Sequence, residues 1–288
     1  MRWLKSALMI IISVGLLALT AHLIGTQALL AGTTVLKWWT ILAALGCGLL
    51  TTAAQAMRWK LLLNSRGTRL GWLQAIADCY SSSFLNIVLP GGLSGDLARV
   101  AVYRNTGEHK WWSPLLVVGA ERLSVTAMLF TIATITLAGI STPLALLTGG
   151  IALTAWVLSL YGMRKMGLNA ALIVWLTSVT SVGALFLLYI VAMLALDSPV
   201  VPVVAIAGLA SMSIPIGVGG WGIREISVSI VAAGAAISVD AAVSTATGYG
   251  LLAIISVLPG LVTLVVQATV RRRATGPESV QNDAGQQR

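Results

Sequence analysis

Charged side chains are scarce in this sequence, and their scarcity excludes most soluble folds. Asp, Glu, Lys and Arg together make up 9% of the 288 residues, whereas hydrophobic residues make up 57%. A soluble globular domain carries about 25% charged residues. The composition is therefore typical of an integral membrane protein, whose helices have lipid rather than water as their main solvent.

Cysteine and histidine are also rare, with two residues of each in the chain. Cys47, Cys79, His22 and His109 lie too far apart in sequence to form a metal-ligating motif, and two cysteines do not make a disulfide framework. The sequence contains neither a P-loop nor a dinucleotide-binding fingerprint. We therefore expect no metal site and no cofactor, and we predict no catalytic residues.

Six long apolar runs predict transmembrane helices. A helix needs about 20 apolar residues to span the hydrocarbon core of a bilayer. Runs of roughly that length occupy residues 7–24, 38–57, 114–139, 143–161, 168–194 and 240–267. Arg2 and Lys5 precede the first run, as in a signal peptide. The end of that run lacks the small residues of a cleavage site, so we interpret it as an uncleaved helix.

Two further regions, 72–104 and 199–236, each contain an apolar arm, a break and a second arm. The breaks read PGGLSGDLAR (90–99) and PIGVGGWGIR (215–224), and they share the spacing P-x-G-x-x-G-x-x-x-R. Proline and glycine interrupt helices, and unwound backbone at membrane depth must be buried in protein or face a wet cavity. We predict two re-entrant hairpins, broken at Pro90, Gly92, Gly95, Pro215, Gly217 and Gly220.

Basic residues at the ends of the apolar runs predict the orientation of the chain. With the N-terminus in the cytoplasm, the cytoplasmic side receives Arg2, Lys5, Arg58, Lys60, Arg66, Arg69, Arg104, Lys110, Arg164, Lys165 and the arginines at 271–273. Lys37 falls outside. Such a bias indicates a multi-pass protein of the inner (cytoplasmic) membrane with both termini cytoplasmic. Since the net charge of +9 arises from these flanks, we expect no nucleic-acid partner.

In this orientation the first hairpin enters from the cytoplasm and the second from the opposite side. Each half then has the order helix, helix, hairpin, helix. The predicted fold is an all-α polytopic membrane protein with six transmembrane helices and two opposed re-entrant hairpins. Its parts are a first membrane repeat (1–140), a second, inverted repeat (141–267) and a tail (268–288) that is basic and then disordered. Inverted repeats place a shared binding site near the middle of the bilayer.

Seven charged residues fall within or close to the membrane-embedded regions. Each costs about 2.5 to 3.5 kcal/mol at bilayer depth and so requires a partner or a function. They are Asp78, Asp96, Arg99, Glu121, Arg122, Arg224 and Glu225. Two interpretations are open. In the first, Arg99 and Arg224 take turns binding a phosphate, since the planar guanidinium group can donate two parallel hydrogen bonds to phosphate oxygens. In the second, they pair with carboxylates and lock the hairpins to the bundle. An ion pair that opens to admit a phosphate would combine the two.

Three motifs carry a resemblance to a known family. They are FLNIVLPGGLSGDLAR (84–99), the pair Glu121-Arg122, and SIPIGVGGWGIRE (213–225). With them the chain resembles, loosely over 35–267, the transmembrane flippase region of lysylphosphatidylglycerol synthases and the stand-alone membrane proteins that share it. The resemblance implies translocation of an anionic or polyprenyl-phosphate-linked lipid across the membrane, as part of lipid transport in the cell envelope.

The resemblance also implies a polar core. Its positions are Asn86, Pro90, Asp96, Arg99, Glu121, Arg122, Arg224 and Glu225. We predict that the three arginines of this set bind the lipid phosphate, that its acidic members pair with them or release them, and that its asparagine supplies a neutral hydrogen bond in the cavity. Trp221, among the glycines of the second break, is either a gate or a plug that fills space.

The chain departs from the family pattern in ways that widen the choice of cargo. Gly92 and Gly217 stand where relatives often carry a basic residue and a serine, so a polyprenyl-phosphate-linked sugar is as credible a cargo as a phospholipid. The soluble aminoacyl-transferring domain of the full-length synthases is not present, so we expect no synthesis of lysyl-lipid. The alternative function is a membrane-embedded transferase that uses Asp96 and Glu121 as acid and base on a lipid-linked substrate. A third is a structural subunit of an envelope assembly.

Overall fold

The computed structural model describes residues 26–89, 91–104, 112–214 and 218–274, together with three isolated positions before residue 26. Every regular element in these ranges is a helix, which confirms the all-helical class. The helices are α1 (Thr26–Gly32), α2 (Trp38–Asn64), α3 (Trp72–Val88), α4 (Ser94–Tyr103), α5 (Ser113–Leu137), α6 (Thr142–Met163), α7 (Leu168–Ala195), α8 (Pro202–Ser211), α9 (Ile223–Gly234), α10 (Val239–Val257) and α11 (Pro259–Ala274).

Five segments in these ranges are long and apolar enough to cross a membrane: α2, α5, α6, α7 and the stretch Val239–Thr269. They coincide with five of the six predicted crossings. The sixth, 7–24, lies outside the described residues apart from isolated positions. The last crossing is divided because Pro259 lacks a backbone donor and begins a new helix, α11. That helix continues to Ala274, past the predicted boundary at 267, and the tail from 275 onward is not among the described residues.

Helices α6 and α7 present apolar side chains to the outside of the bundle. On α6, Leu146, Leu153 and Leu160 are exposed and repeat every seven residues, so they share one face. On α7, Leu172 and Leu176 are exposed one turn apart. Continuous apolar surface of this kind is typical of helices that face lipid.

Two long-range hydrogen bonds identify which helix ends lie together. Lys37 Nζ donates to the carbonyl of Ala195 over 2.7 Å, so the start of α2 lies beside the end of α7. Arg66 Nη2 donates to the carbonyl of Gly162 over 2.8 Å, so the end of α2 lies beside the end of α6. We call the first the α7–α8 end of the bundle and the second the α6–α7 end.

The first hairpin, α3 and α4, starts and finishes at the α6–α7 end. The Trp72 ring at the start of α3 lies 6.0 Å from Lys60 Nζ in the last turns of α2. Tyr103 at the end of α4 packs edge-on against Trp59, with ring centres 5.6 Å apart. Its hydroxyl donates to Asp78 Oδ2 over 2.6 Å. The chain therefore enters the bundle along α3, turns, and leaves along α4 on the same side.

The second hairpin, α8 and α9, starts and finishes at the α7–α8 end. A small crevice at that end is lined by Val201 and Val204 from the start of α8 and by Ile237 and Ala241, which follow α9. The two hairpins thus enter the bundle from opposite ends. That each is re-entrant within a bilayer, and that the two halves form an inverted repeat, stay predictions.

The two breaks approach each other inside the bundle. Both contain glycines with positive φ, among them Gly92 (φ 61°) and Gly220 (φ 77°), a region that residues with a β-carbon rarely adopt. A β-carbon at Gly219 would lie 3.0 Å from the carbonyl oxygen of Ile87, near the end of α3. Glycine at this position therefore lets the second break lie against the first hairpin. Pro90, Pro215 and Gly217 lie outside the described residues.

Close packing of α2 on α10 depends on Gly48. A β-carbon there would overlap the backbone carbonyl of Ser256, which cannot move aside as a flexible side chain could. Gly46, in the same helix, has no atom within 4 Å of the place its β-carbon would occupy. Small residues at such contacts allow membrane helices to approach closely.

We expect Gly48→Ala to lower the midpoint of thermal unfolding by several degrees, because overpacking a helix contact costs about 1 to 3 kcal/mol. Gly46→Ala is the matched control, and it should unfold at or slightly above the wild-type temperature because alanine favours a helix. The measurement is thermal unfolding of the purified protein in detergent. A wild-type midpoint for Gly48→Ala would contradict the packing described above.

Candidate functional site

A cavity of about 480 Å³ lies at the centre of the bundle. Helices α2, α5, α7 and α10 contribute to its wall, and so do both hairpins. Its polar lining includes Gln55, Arg58, Ser83, Asn86, Glu121 and Arg122. Leu129, Leu185, Leu188 and Leu209 belong to its apolar lining. Pockets of this volume hold small molecules or the headgroup of a larger amphiphile.

The lining changes from polar to apolar along the cavity. On α5, which follows the first hairpin from the α6–α7 end, Arg122 comes two turns before Leu129. On α7, which begins at that end, Ser181 comes before Leu188. Arg58 is the α2 lining residue nearest the same end. The α6–α7 end of the cavity is therefore polar and charged, and the other end is apolar.

A network of ion pairs joins the first hairpin to α5 beside the polar end. Arg99 Nη2 lies 2.6 Å from Asp96 Oδ1, and Arg99 Nη1 lies 3.1 Å from Glu121 Oε2. Arg122 Nε pairs with the other oxygen of Asp96. Arg122 Nη2 also donates to the carbonyl of Gly92 in the first break, over 2.9 Å. The network therefore fixes both the second arm of the hairpin and the break itself.

Arg99 is enclosed within this network. Only 4% of its side chain is exposed, and its guanidinium carbon lies 4.6 Å from the centre of the Trp59 ring. Arg99 Nη1 also donates to Cys79 Sγ over 3.3 Å. Glu121 lines the cavity, whereas Arg99 lies behind it. Phosphate binding by Arg99 stays a prediction, and it requires the ion pairs to open.

A second ion pair follows the second break. Arg224 Nη2 lies 2.6 Å from Glu225 Oε1, and both side chains are fully buried. The Arg224 guanidinium lies 4.8 Å from the Trp221 ring centre and 5.8 Å from the Tyr249 ring centre. Glu225 Oε2 accepts a hydrogen bond of 2.7 Å from the backbone of Gly222, which caps α9. Of these residues Tyr249 lines the cavity; phosphate binding by Arg224 stays a prediction.

Trp221 packs on this ion pair rather than lining the cavity. Its ring is partly buried and covers one face of the Arg224 guanidinium. Such cation–π contact stabilises a buried arginine. Neither of the two predicted roles for Trp221, gate or plug, is decided by this placement.

Asn86 both lines the cavity and supports the first break. Its Oδ1 accepts a hydrogen bond of 2.8 Å from the backbone N–H of Gly95. A β-carbon at Gly95 would overlap the backbone of Ser82, so glycine permits this contact between α3 and α4. Ser82 Oγ in turn donates to Asp96 Oδ1 over 2.9 Å. The Asn86 side chain therefore supports the break, and the neutral hydrogen bond predicted for it in the cavity stays a prediction.

Two residues of the cavity wall, Gln55 and Arg58, were not among the predicted site residues. Gln55 Nε2 donates to Glu121 Oε1 over 2.8 Å. The end of the apolar run at 57 predicts that Arg58 lies on the cytoplasmic flank, whereas α2 continues to Asn64 inside the bundle. The signal that could have found both is the spacing of Thr51, Gln55 and Arg58, which places three polar residues on one helix face.

The charged network is not built as a metal site. Within the described ranges, no three His, Cys, Asp or Glu side chains gather closely enough to hold a metal ion. Both Asp96 and Glu121 already bind arginine. Guanidinium groups therefore neutralise the acidic side chains beside the cavity.

The chain matches the model of a known protein family. The family described as "Lysylphosphatidylglycerol synthase TM region" matches residues 6–164, which is more than half of the chain. The matched range contains the whole first hairpin and the network that binds it to α5. The comparisons with curated proteins and with solved structures give no match.

We expect Arg99→Gln to destabilise the protein more than Arg122→Gln does. Removing one partner of a buried ion pair costs about 3 to 5 kcal/mol, and without Arg99 the Glu121 carboxylate has no arginine. The Arg122 side chain is 37% exposed, so its loss should cost less. In Arg122→Gln the Asp96 carboxylate still pairs with Arg99. Thermal unfolding in detergent measures both losses.

The double variant Arg99→Gln/Glu121→Gln tests whether the two residues act as a pair. Because it leaves no unpaired carboxylate at position 121, it should regain part of the stability that Arg99→Gln loses. Strictly additive losses in the double variant would show that Arg99 and Glu121 are not coupled.

Proposed function

The chain belongs to the lysylphosphatidylglycerol synthase TM region family, and from that premise we propose that it translocates an anionic lipid across the cytoplasmic membrane. The cargo in this proposal is a phospholipid or a polyprenyl-phosphate-linked sugar. Either one combines a phosphate with long apolar chains. No cofactor takes part in the proposed step.

The central cavity is the observation that carries the proposal. Its polar end, with Gln55, Asn86 and Arg122, suits a phosphate-containing headgroup, and its apolar end, with Leu129 and Leu188, suits the start of an apolar chain. A purely polar solute would not need the apolar end. A cavity with this polarity therefore favours an amphiphile as the cargo.

The two hairpins supply the proposed gates. Ser83 and Asn86 of the first hairpin and Leu209 of the second line the same cavity, although the hairpins enter from opposite ends. Movement of one hairpin would open the cavity toward one end, and movement of the other would open it toward the opposite end. Alternating access in transporters with inverted repeats works in this way.

Arg122 is the proposed first contact for the phosphate. Its side chain is 37% exposed, so exchanging one partner for another requires less desolvation than at the buried arginines. Its present partners are Asp96 and the carbonyl of Gly92. Binding of a phosphate to Arg122 would therefore release the first break.

Arg99 holds the first hairpin against α5 until its ion pair with Glu121 opens. Arg224 pairs with its neighbour Glu225 within α9 and contacts the bundle through the Tyr249 ring of α10.

The orientation in this proposal follows from the distribution of basic residues. The α6–α7 end carries many of them, and the α7–α8 end carries Lys37. Those at the α6–α7 end include Lys60, Arg66, Arg164 and Lys165. Because cytoplasmic loops are enriched in lysine and arginine, we place the α6–α7 end in the cytoplasm. The charged end of the cavity then lies in the cytoplasmic half of the membrane.

A membrane-embedded transferase is the second candidate, because Glu121 lies on the cavity wall where a substrate would bind. An acid or base at this position would need an oxygen that can exchange a proton with the substrate. Glu121 Oε1 accepts from Gln55 and Oε2 from Arg99, so both oxygens already have partners. The translocation proposal requires no such proton exchange and is therefore preferred.

Purified protein in liposomes should move fluorescent NBD-phosphatidylglycerol between leaflets, making the inner-leaflet probe accessible to dithionite. Arg122→Gln should slow this exchange about tenfold or more, because charge-assisted hydrogen bonds to phosphate are lost. Arg104→Gln is the matched control: it removes an exposed arginine at the end of α4 and should leave the rate unchanged. A polyprenyl-phosphate probe is measured in parallel.

Three results would count against this account. Wild-type exchange in Arg122→Gln would remove Arg122 from the mechanism. A wild-type protein that exchanges neither probe would contradict translocation. Formation of a covalently altered lipid without exchange would favour the transferase.

A further inference from the structure

Arg58 is a buried cation on the cavity wall that has neutral partners instead of a carboxylate. Its side chain is almost entirely buried, with 2% of the residue exposed. Arg58 Nη1 donates to the carbonyl of Thr177 over 2.6 Å and to Ser181 Oγ over 2.9 Å. Its Nε has no hydrogen-bond partner. The residue lines the cavity beside these groups.

The arginines of the two hairpins and of α5 differ from Arg58 in this respect. Arg99, Arg122 and Arg224 each pair with a carboxylate. A charge buried at membrane depth is costly unless an opposite charge compensates it. Arg58 is thus the buried arginine of the cavity that has no carboxylate within ion-pair distance in the described part of the chain, and the nearby Glu121 already pairs with Arg99.

The carboxylates near the cavity are already used. Glu121 binds Arg99 and Gln55, and Asp96 binds Arg99 and Arg122. The polar end of the cavity and the ion-pair network behind it therefore contain three guanidinium groups and two carboxylates.

Asp78, the buried acid on α3, does not supply a negative charge to Arg58. Its oxygens accept hydrogen bonds from Gln74, Tyr103 and Gln267. These bonds tie it to α4 and α11 rather than to the cavity. One positive charge at the cavity wall, that of Arg58, is therefore left without an ion pair among the described residues and has neutral hydrogen-bond partners alone.

We propose that Arg58 is the anchor for the phosphate group of the cargo, which supplies the missing counter-ion from inside the cavity. The inference deepens the proposed function, on which it rests for the identity of the ligand as a lipid phosphate. Gln55 lies one turn before Arg58 on the same face of α2 and binds Glu121, the neighbour of Arg122. Arg58 and Arg122 thus reach the same polar end of the cavity from different helices.

The depths of the two arginines suggest their order of action. Arg122 is partly exposed, whereas Arg58 is buried and lies six residues, or roughly 9 Å, before the end of α2. A phosphate entering from the cytoplasmic end would bind Arg122 first and reach Arg58 when the headgroup is enclosed. Arg58 then holds the headgroup inside the bundle while one hairpin closes the cavity at one end and the other opens it at the opposite end.

Arg66 provides the matched control for a test of Arg58. It is also buried, donates to a backbone carbonyl, that of Gly162, and has an Nε without a partner. It differs in that it does not line the cavity. Loss of lipid binding in Arg58→Gln but not in Arg66→Gln therefore reports on the cavity and not on arginine burial in general.

The experiment measures binding of NBD-phosphatidylglycerol and of NBD-diacylglycerol with the same chains to the full-length protein in a non-ionic detergent. Arg58→Gln should bind the phosphatidylglycerol probe about tenfold more weakly and the uncharged probe as the wild type does. Arg66→Gln should match the wild type with both probes. Equal binding of phosphatidylglycerol by wild type and Arg58→Gln overturns the proposal, as does an equal loss for both probes.

Two further measurements complete the test. If Arg58→Gln does not elute as a single folded species, binding of the two probes is measured with Arg58→Lys instead. Lysine keeps the positive charge of arginine but cannot form its two parallel hydrogen bonds to phosphate. A loss of affinity of about threefold for the phosphatidylglycerol probe alone supports the proposed role of Arg58. Unchanged affinity overturns it. Inorganic phosphate is then added as a competitor. Displacement of the probe shows that the phosphate alone is recognised, and no displacement shows that Arg58 recognises it as part of a lipid.

The liposome assay separates this inference from the proposed function. Exchange by the wild type together with unchanged binding in Arg58→Gln would refute the anchor alone. Selective loss of binding in Arg58→Gln without any exchange by the wild type would leave the anchor standing and refute translocation.

Discussion

The ion-pair network of Asp96, Arg99 and Glu121 is the constraint on which the site depends. Arg99 lies between the two carboxylates, one on its own hairpin and one on α5, and 4% of its side chain is exposed. At this depth an unpaired charge is costly, so the ion pairs of these three groups favour the observed position of the hairpin on α5. The ion pairs thereby place α4 against α5, and with α4 they place the first break and this part of the cavity wall. The pair Arg224–Glu225 satisfies the corresponding charges of the second hairpin.

The cavity inherits its chemistry from the same network. Glu121 is held on the wall by Arg99 and Gln55, and Asp96, which is not part of the lining, binds Arg99 and Arg122. What faces the cavity is therefore a surplus of positive charge, carried by Arg58. Apolar side chains fill the opposite end, so that a single cavity suits the two parts of an anionic lipid. The second break lies against the end of α3 beside the cavity, which allows a change at one hairpin to affect the other.

The sequence predicts five of the crossings well because their signal is local. A run of apolar residues specifies a spanning helix by its length, so the run 168–194 is enough to predict α7. Proline with glycine predicts the breaks in the same local way, and the break residues stay predictions. Which arginine faces the cavity is not a local property. It depends on the rotation of α2 and on where that helix ends, and the helix continues to Asn64 although the apolar run stops at 57. The apolar run alone therefore predicts that Arg58 lies on the flank. Pairing of Arg99 with a carboxylate was one of two interpretations that the sequence left open.

The most direct test of the account is a cryo-electron microscopy map of the protein in nanodiscs that contain phosphatidylglycerol. The account predicts density for a headgroup in the central cavity, with its phosphate within hydrogen-bond distance of Arg58 and Arg122 and its chains along the apolar end. Lipid density confined to the outer surface of the bundle, with no headgroup at Arg58, would contradict it.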